Sequence, residues 1–206
     1  MERKNGWEFF SEEEKRNVIK FCDEYKDFIS RNKIERKFVN ECIEIAEKNG
    51  FKDITKYNEL KKGDKFYRKN KEKEVIFGII GKEILTKGAK FIVSHIDSPR
   101  LDLKASPLYE DENICLLKTC YYGGIKKYQW LTIPLSLYGI VVLKNGEKIE
   151  IEIGEKEKDP VFTIPDLLPH LAKDQYKKTI EEGFPGENLN IFFGTIPLLA
   201  KKEEKE

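Results

Sequence analysis

Ser94-His95-Ile96-Asp97-Ser98-Pro99-Arg100-Leu101-Asp102-Leu103-Lys104 carries one of the chain's two histidines and directly follows the apolar run Lys90-Phe91-Ile92-Val93. A short run of this kind makes a buried strand, so the reading predicts a strand ending at Ser94, with His95 where it runs out. In extended backbone, side chains two apart point the same way, which sets His95 beside Asp97. One imidazole nitrogen can then bind a metal while the carboxylate takes the proton of the other, fixing the tautomer and raising the basicity. Pro99 ends the strand pairing. Taken by itself, a histidine near a strand end is more often a hydrogen-bonded structural residue than a ligand, and an H-x-D triplet does not decide between the two.

Upstream of this stretch the pattern is helical and then extended. Ser11 and Glu14 have the spacing of a capping box. Val18, Phe21, Cys22, Tyr25, Phe28 and Ile29 follow at helical spacing, predicting an amphipathic helix packed on a core. A second helix is expected from Phe38, Cys42 and Ile45, closing at Asn49-Gly50. Strands are expected at Lys65 to Arg68 and Glu74 to Ile80, with Lys71-Glu72-Lys73 as the loop between them. The lysines from Lys69 to Lys73 lack the Gly-rich helix start of a phosphate site and read as a solvated hairpin.

Downstream the chain turns β-rich, and a boundary is placed near Ala105 to Pro107. Leu137 to Leu143 and Lys148 to Ile153 flank Asn145-Gly146, a strong hairpin signal. Ile149, Ile151 and Ile153 alternate with Glu150 and Glu152, predicting one buried and one wet face. Asp159-Pro160 and Pro165 precede a short helix-like segment carrying His170. Gly183-Phe184-Pro185-Gly186 reads as a loop, Leu189 to Phe193 as a last strand, and Lys201 to Glu206 as a charged tail.

Charged residues make up 36% of the 206 but balance to a formal +1, so no nucleic-acid partner is expected, since such binders carry a clustered basic excess. The N-terminus lacks the apolar core of a signal peptide and no run is long enough to span a bilayer, so no membrane partner and a cytoplasmic location are expected. Cys22, Cys42, Cys115 and Cys120 fit no metal or redox spacing and read as buried small hydrophobes.

Three ordered segments resemble one family. His95-Ile96-Asp97-Ser98-Pro99 with Leu101 and Leu103 resembles the first metal motif of the aspartyl-aminopeptidase family, the tetrahedral-assembly branch of the cocatalytic zinc exopeptidases. Tyr121-Tyr122-Gly123-Gly124-Ile125 with Trp130, then Ile164-Pro165-Asp166-Leu167-Leu168-Pro169-His170-Leu171, match in the same order. The resemblance implies an α/β fold: residues 1–104 as the N-terminal part of a zinc-exopeptidase catalytic domain, and residues 105–206 as an inserted β-rich oligomerisation domain. It implies a metalloaminopeptidase that acts on peptide substrates with two zinc ions, or cobalt or manganese, and assembles as a homo-oligomer, a dodecamer in family members. His95 would be a zinc ligand and Asp97 its orienting partner. His170 would reach a neighbouring subunit's active site and support the tetrahedral intermediate, a donor aimed at developing charge.

The same resemblance sets limits. The family's bridging aspartate, glutamate pair, further acid and late histidine lie C-terminal to the region covered, so this chain by itself is expected to be inactive. Glu181-Glu182 imitates the catalytic pair but lacks its surroundings and reads as solvated charge. The second segment departs from the Gly-Gly-Gly-Trp version of acidic-specific members, which removes the ground for an acidic preference. Without the resemblance, His170 reads as structural, Gly123-Gly124 as a plain turn and Trp130 as a core aromatic. The alternative function is a non-catalytic assembly or binding module that keeps the oligomerisation domain.

Overall fold

Ser11 opens the first helix as its spacing predicts: its hydroxyl accepts from the Glu14 amide at 3.3 Å while its own amide donates to the Glu14 carboxylate at 2.7 Å. The computed structural model describes residues 4–83 and 85–196. It divides into two compact units, Met1–Ser98 and Pro99–Glu206. Position 104/105, where the sequence suggested a boundary, lies inside a strand that begins at Arg100. The charged tail from Lys201 lies outside the described residues.

The first unit places two helices, α1 (Glu12–Arg31) and α2 (Glu35–Lys48), before a three-stranded sheet. The strands are β1 (Lys52–Asp53), β2 (Lys65–Asn70) and β3 (Glu74–Ile79), with β1 parallel and β3 antiparallel to β2. Asn32 joins the helices, its amide donating to the Phe28 carbonyl at 2.8 Å and to the Glu41 carboxylate. Phe28 meets Phe38 edge to face, and Val39 and Ala46 are buried. Tyr67 is buried in β2, and its hydroxyl donates to Glu47 of α2 at 2.7 Å. Across the ladder Phe66 faces Gly78 and lays its ring where a Cβ at 78 would stand.

Two expectations fail here. The stripe on α1 is not core: Phe21, Cys22, Tyr25 and Ile29 are exposed and Val18 and Phe28 half-buried, because no described element covers that face. Helical periodicity identifies a face that can be buried, and packing decides whether it is. The cysteines are not all buried either. Cys22 and Cys120 are exposed, Cys42 and Cys115 half-buried, and none is in a disulfide.

The second unit is β-rich. β4 (Arg100–Asp111) and β5 (Ile114–Tyr122) run antiparallel around Glu112 and Asn113, both with positive φ, which is the type I′ geometry that matches strand twist. After β6 (Leu137–Val142) and β7 (Lys148–Ile153) come the one-turn helix α3 (Ile180–Gly183) and β8 (Ile191–Gly194), the latter pairing with β5. The core gathers Leu117, Phe162, Ile164, Leu189 and Ile191. The stitch at 162–164 ties it: Phe162 exchanges backbone hydrogen bonds with Leu135, and the Ile164 and Thr163 carbonyls accept from Thr132 and Phe192. The β6–β7 hairpin pairs as predicted, yet its apolar face is covered only at the Leu137 and Ile153 end; Val141 and Ile149 near the tip are exposed. No helix of the described residues is long and apolar enough to cross a membrane.

The Glu47 carboxylate beside it, helped by burial, pushes the Tyr67 phenol up to about 12. A raised phenol contributes stability that is complete below its unfolded value, about 10, and is lost as pH climbs through the folded value. Tyr67→Phe should therefore cost about 1 kcal/mol near neutral pH, and urea unfolding should show that cost vanishing between about pH 10 and 12; a pH-independent difference would contradict the assignment. Gly78→Ala should displace the Phe66 ring and destabilise by about 1–3 kcal/mol in the same measurement.

Candidate functional site

The strand expected at Lys90 to Ser94 does not form. Residues 88–99 adopt no regular structure, and Phe91, Ile92 and Val93 are 83%, 102% and 87% exposed. A strand needs a ladder partner, and none among the described residues pairs with this run. His95 therefore sits on an irregular segment, not at a strand end.

Even so, its ring is oriented. His95 Nδ1 lies 3.2 Å from the Asp97 carbonyl oxygen and 3.3 Å from Asp97 Oδ1. Both partners are acceptors, so the proton belongs on Nδ1, which leaves the lone pair on Nε2. With the side chain 86% exposed, that nitrogen is accessible. This is the arrangement of a metal-binding imidazole with a carboxylate behind it, and it fits zinc as one ligand. Among the described residues no group of three or more His, Cys, Asp or Glu side chains could hold a metal ion. His95 has no such group around it among the described residues.

His170 belongs to the second unit, on a single turn in place of the helix-like segment. The Leu168 carbonyl accepts from Leu171 at 2.9 Å and Ala172 at 3.1 Å. The turn is pinned at both ends by buried side chains, Ile164 before it and Ala172 after it. Asp166 closes it, accepting from the Leu167 amide at 2.8 Å and the Gln175 amide at 3.3 Å. His170 is exposed, with Leu167, Leu168 and Leu171 exposed around it. A donor on a turn anchored in this way can be offered to a molecule outside its own unit.

Glu182 is occupied structurally. It takes the Thr179 hydroxyl at 2.8 Å and the Thr179 amide at 3.2 Å, which caps α3 and holds its carboxyl below the usual range. Trp130 is half-buried on a short 3-10 turn, Lys127–Trp130. Gly123 has φ +82°, a conformation that disfavours a side chain, and a Cβ there would stand 3.7 Å from the Pro99 Cα.

The sequence reading missed how its motifs meet. Arg100 and Tyr122 are cross-strand partners, so the segment after His95 and the Tyr121–Ile125 segment lie side by side at one end of the β4–β5 ladder. The Arg100 guanidinium stands 3.9 Å from the Tyr122 ring centroid and its Nε donates to Asp102 at 2.7 Å. The available signal was the alternation of Arg100 and Asp102 with Leu101 and Leu103.

This mixed α/β fold is that of solved metallopeptidases. The crystal structure of an M18-family aminopeptidase from Thermotoga maritima matches with a TM-score of 0.89 at 45% identity, over 98% of this chain and 44% of that one. The chain belongs to the aminopeptidase I zinc metalloprotease (M18) family, whose model matches residues 28–206. A probable M18 family aminopeptidase 1 from Borrelia garinii subsp. bavariensis is 50% identical over 206 residues, all of this chain and 45% of that protein. The S. cerevisiae mApe1 dodecamer matches with a TM-score of 0.64 at 25% identity, over 85% of this chain and 38% of that one. The chain thus spans less than half the length of the curated relatives it matches.

Asp97→Ala should release the His95 tautomer. Long-range nitrogen–proton NMR correlations of the neutral ring should show a proton on Nδ1 in the wild type and a shift towards the Nε2–H form in the variant. An unchanged spectrum would mean that Asp97 does not orient the ring.

Proposed function

We propose that this chain supplies the N-terminal part of a zinc-dependent aminopeptidase that removes residues from the N-termini of peptides in the cytoplasm. The observation that carries the reading is the oriented imidazole of His95, backed by Asp97, within a chain that belongs to a zinc metalloprotease family. The first unit is the opening part of the catalytic domain and the second most of the inserted oligomerisation domain. Copies assemble as a homo-oligomer, a reading supported by the dodecamer of the S. cerevisiae relative. The complete site holds two ions, zinc with cobalt or manganese as substitutes.

A bound zinc supplies Lewis acidity and a water made nucleophilic near neutral pH. His95 would hold it through Nε2. Asp97 keeps the proton on Nδ1 and so keeps Nε2 a donor throughout turnover. His170 is presented from its turn to the active site of a neighbouring subunit, where its ring N–H donates to the carbonyl oxygen as negative charge develops there. The exposed leucines beside it keep water from that contact.

The test joins this chain to the C-terminal remainder of the Borrelia garinii relative and follows amino-acid release from dipeptides in zinc, cobalt or manganese. The chimera should be active and the 206-residue chain inactive. His95→Ala should abolish release, and His170→Ala should lower kcat about 10²–10³-fold, the usual cost of a lost oxyanion donor. Co-refolding the two impaired variants should restore about a quarter of wild-type activity, because in a symmetric assembly random mixing leaves that share of sites with both histidines intact. Activity that survives His95→Ala would overturn the ligand assignment, and mixtures that stay inactive would overturn the role in trans.

A further inference from the structure

His95 stands on a stretch without ladder hydrogen bonds, and a ligand on such backbone binds metal well only if something else limits its freedom. Upstream the nearest ordered element is the 3-10 turn Leu85–Lys87. Downstream the segment runs into β4, whose first residue, Arg100, is held in place. It pairs with Tyr122 in the ladder, its guanidinium stacks 3.9 Å from the Tyr122 ring centroid, and its Nε donates to Asp102 at 2.7 Å. Its side chain is 28% exposed, so the stack is partly desolvated, the condition under which a cation over an aromatic face gains strength. The preceding residue, Pro99, lies near Gly123: a Cβ at position 123 would stand 3.7 Å from its Cα.

We propose that Arg100 is a positioning residue for the metal-binding histidine. Its stack on Tyr122 and its pair with Asp102 fix the point at which the His95 segment enters β4, so that His95 and Asp97 keep their mutual orientation in the absence of metal. The inference rests on His95 being a zinc ligand. Its assigned part is to position the segment that carries His95, not to bind zinc or peptide. A planar guanidinium is required, because an ammonium group cannot stack on the ring and hold a carboxylate in the same geometry.

The experiment measures zinc affinity of the metal-free chimera by competition with a chromogenic chelator, and backbone amide relaxation at residues 95–98 of the 206-residue chain. Arg100→Ala and Tyr122→Leu should each weaken zinc about tenfold or more, the range seen when a residue supporting a ligand is lost. Both should raise fast motion at 95–98 while the thermal midpoint moves little. Arg100→Lys should resemble the alanine variant, and Tyr122→Phe, which keeps the ring face, should bind like wild type. Zinc affinity within twofold of wild type in folded Arg100→Ala and Arg100→Lys would overturn the proposal, as would Tyr122→Phe binding as poorly as Tyr122→Leu. His95→Ala separates the two layers: if it leaves zinc affinity unchanged, the ligand reading fails; if it abolishes binding while the Arg100 variants bind normally, only the positioning role fails.

Discussion

The register of β4 against β5 places most of what matters in the second unit. Arg100 faces Tyr122, Leu101 faces Tyr121, Asp102 faces Cys120 and Leu103 faces Thr119, before an irregularity between Leu103 and Leu108 re-aims the strand. Because side chains alternate, Leu101, Leu117 and Thr119 turn to the core, where the Thr119 hydroxyl donates to the Leu189 carbonyl. Arg100, Asp102 and Tyr122 turn the other way and form the clamp. A slip of one residue would exchange the two faces, burying the guanidinium and exposing the leucine. The same pairing that completes the core therefore holds the two motif segments against each other.

The first unit has the opposite character: it is well capped and hydrogen-bonded but leaves much apolar surface open. Phe91, Ile92 and Val93 are exposed together with the α1 stripe. Burying a side chain of that kind stabilises by about 1.5–3 kcal/mol, so such a surface gains from being covered. In the function proposed above, the remainder of the catalytic domain would cover it, and the run at Phe91 would then gain the ladder partner it lacks among the described residues. That ordering would bring His95 to its co-ligands.

Local signals were legible because their physics is local. Ser11 with Glu14, the stop at Asn49-Gly50 and the Asn145-Gly146 hairpin each satisfy backbone groups within a few residues, and each appears where the spacing puts it. What needed a partner was not legible. The strand at Phe91, the burial of Cys22 and the covered tip of the β6–β7 hairpin depend on neighbours that periodicity does not specify. The β4–β5 turn escaped notice for another reason: glutamate at 112 seldom adopts a left-handed conformation, so only Asn113 hinted at it. At the site, the pairing of His95 with Asp97 followed from their spacing alone, although the backbone there is irregular. The meeting of Arg100 with Tyr122 depends on a register that no single segment encodes.

The central claim is that Nε2 of His95 binds zinc. Zinc-edge X-ray absorption of the chimera, loaded to stoichiometry, tests it most directly. The account predicts imidazole scattering in the wild type, with the His95→Ala spectrum fitting one fewer imidazole per site and an oxygen ligand in its place. Superimposable spectra at equal zinc loading would contradict it and would move the metal to ligands other than this histidine.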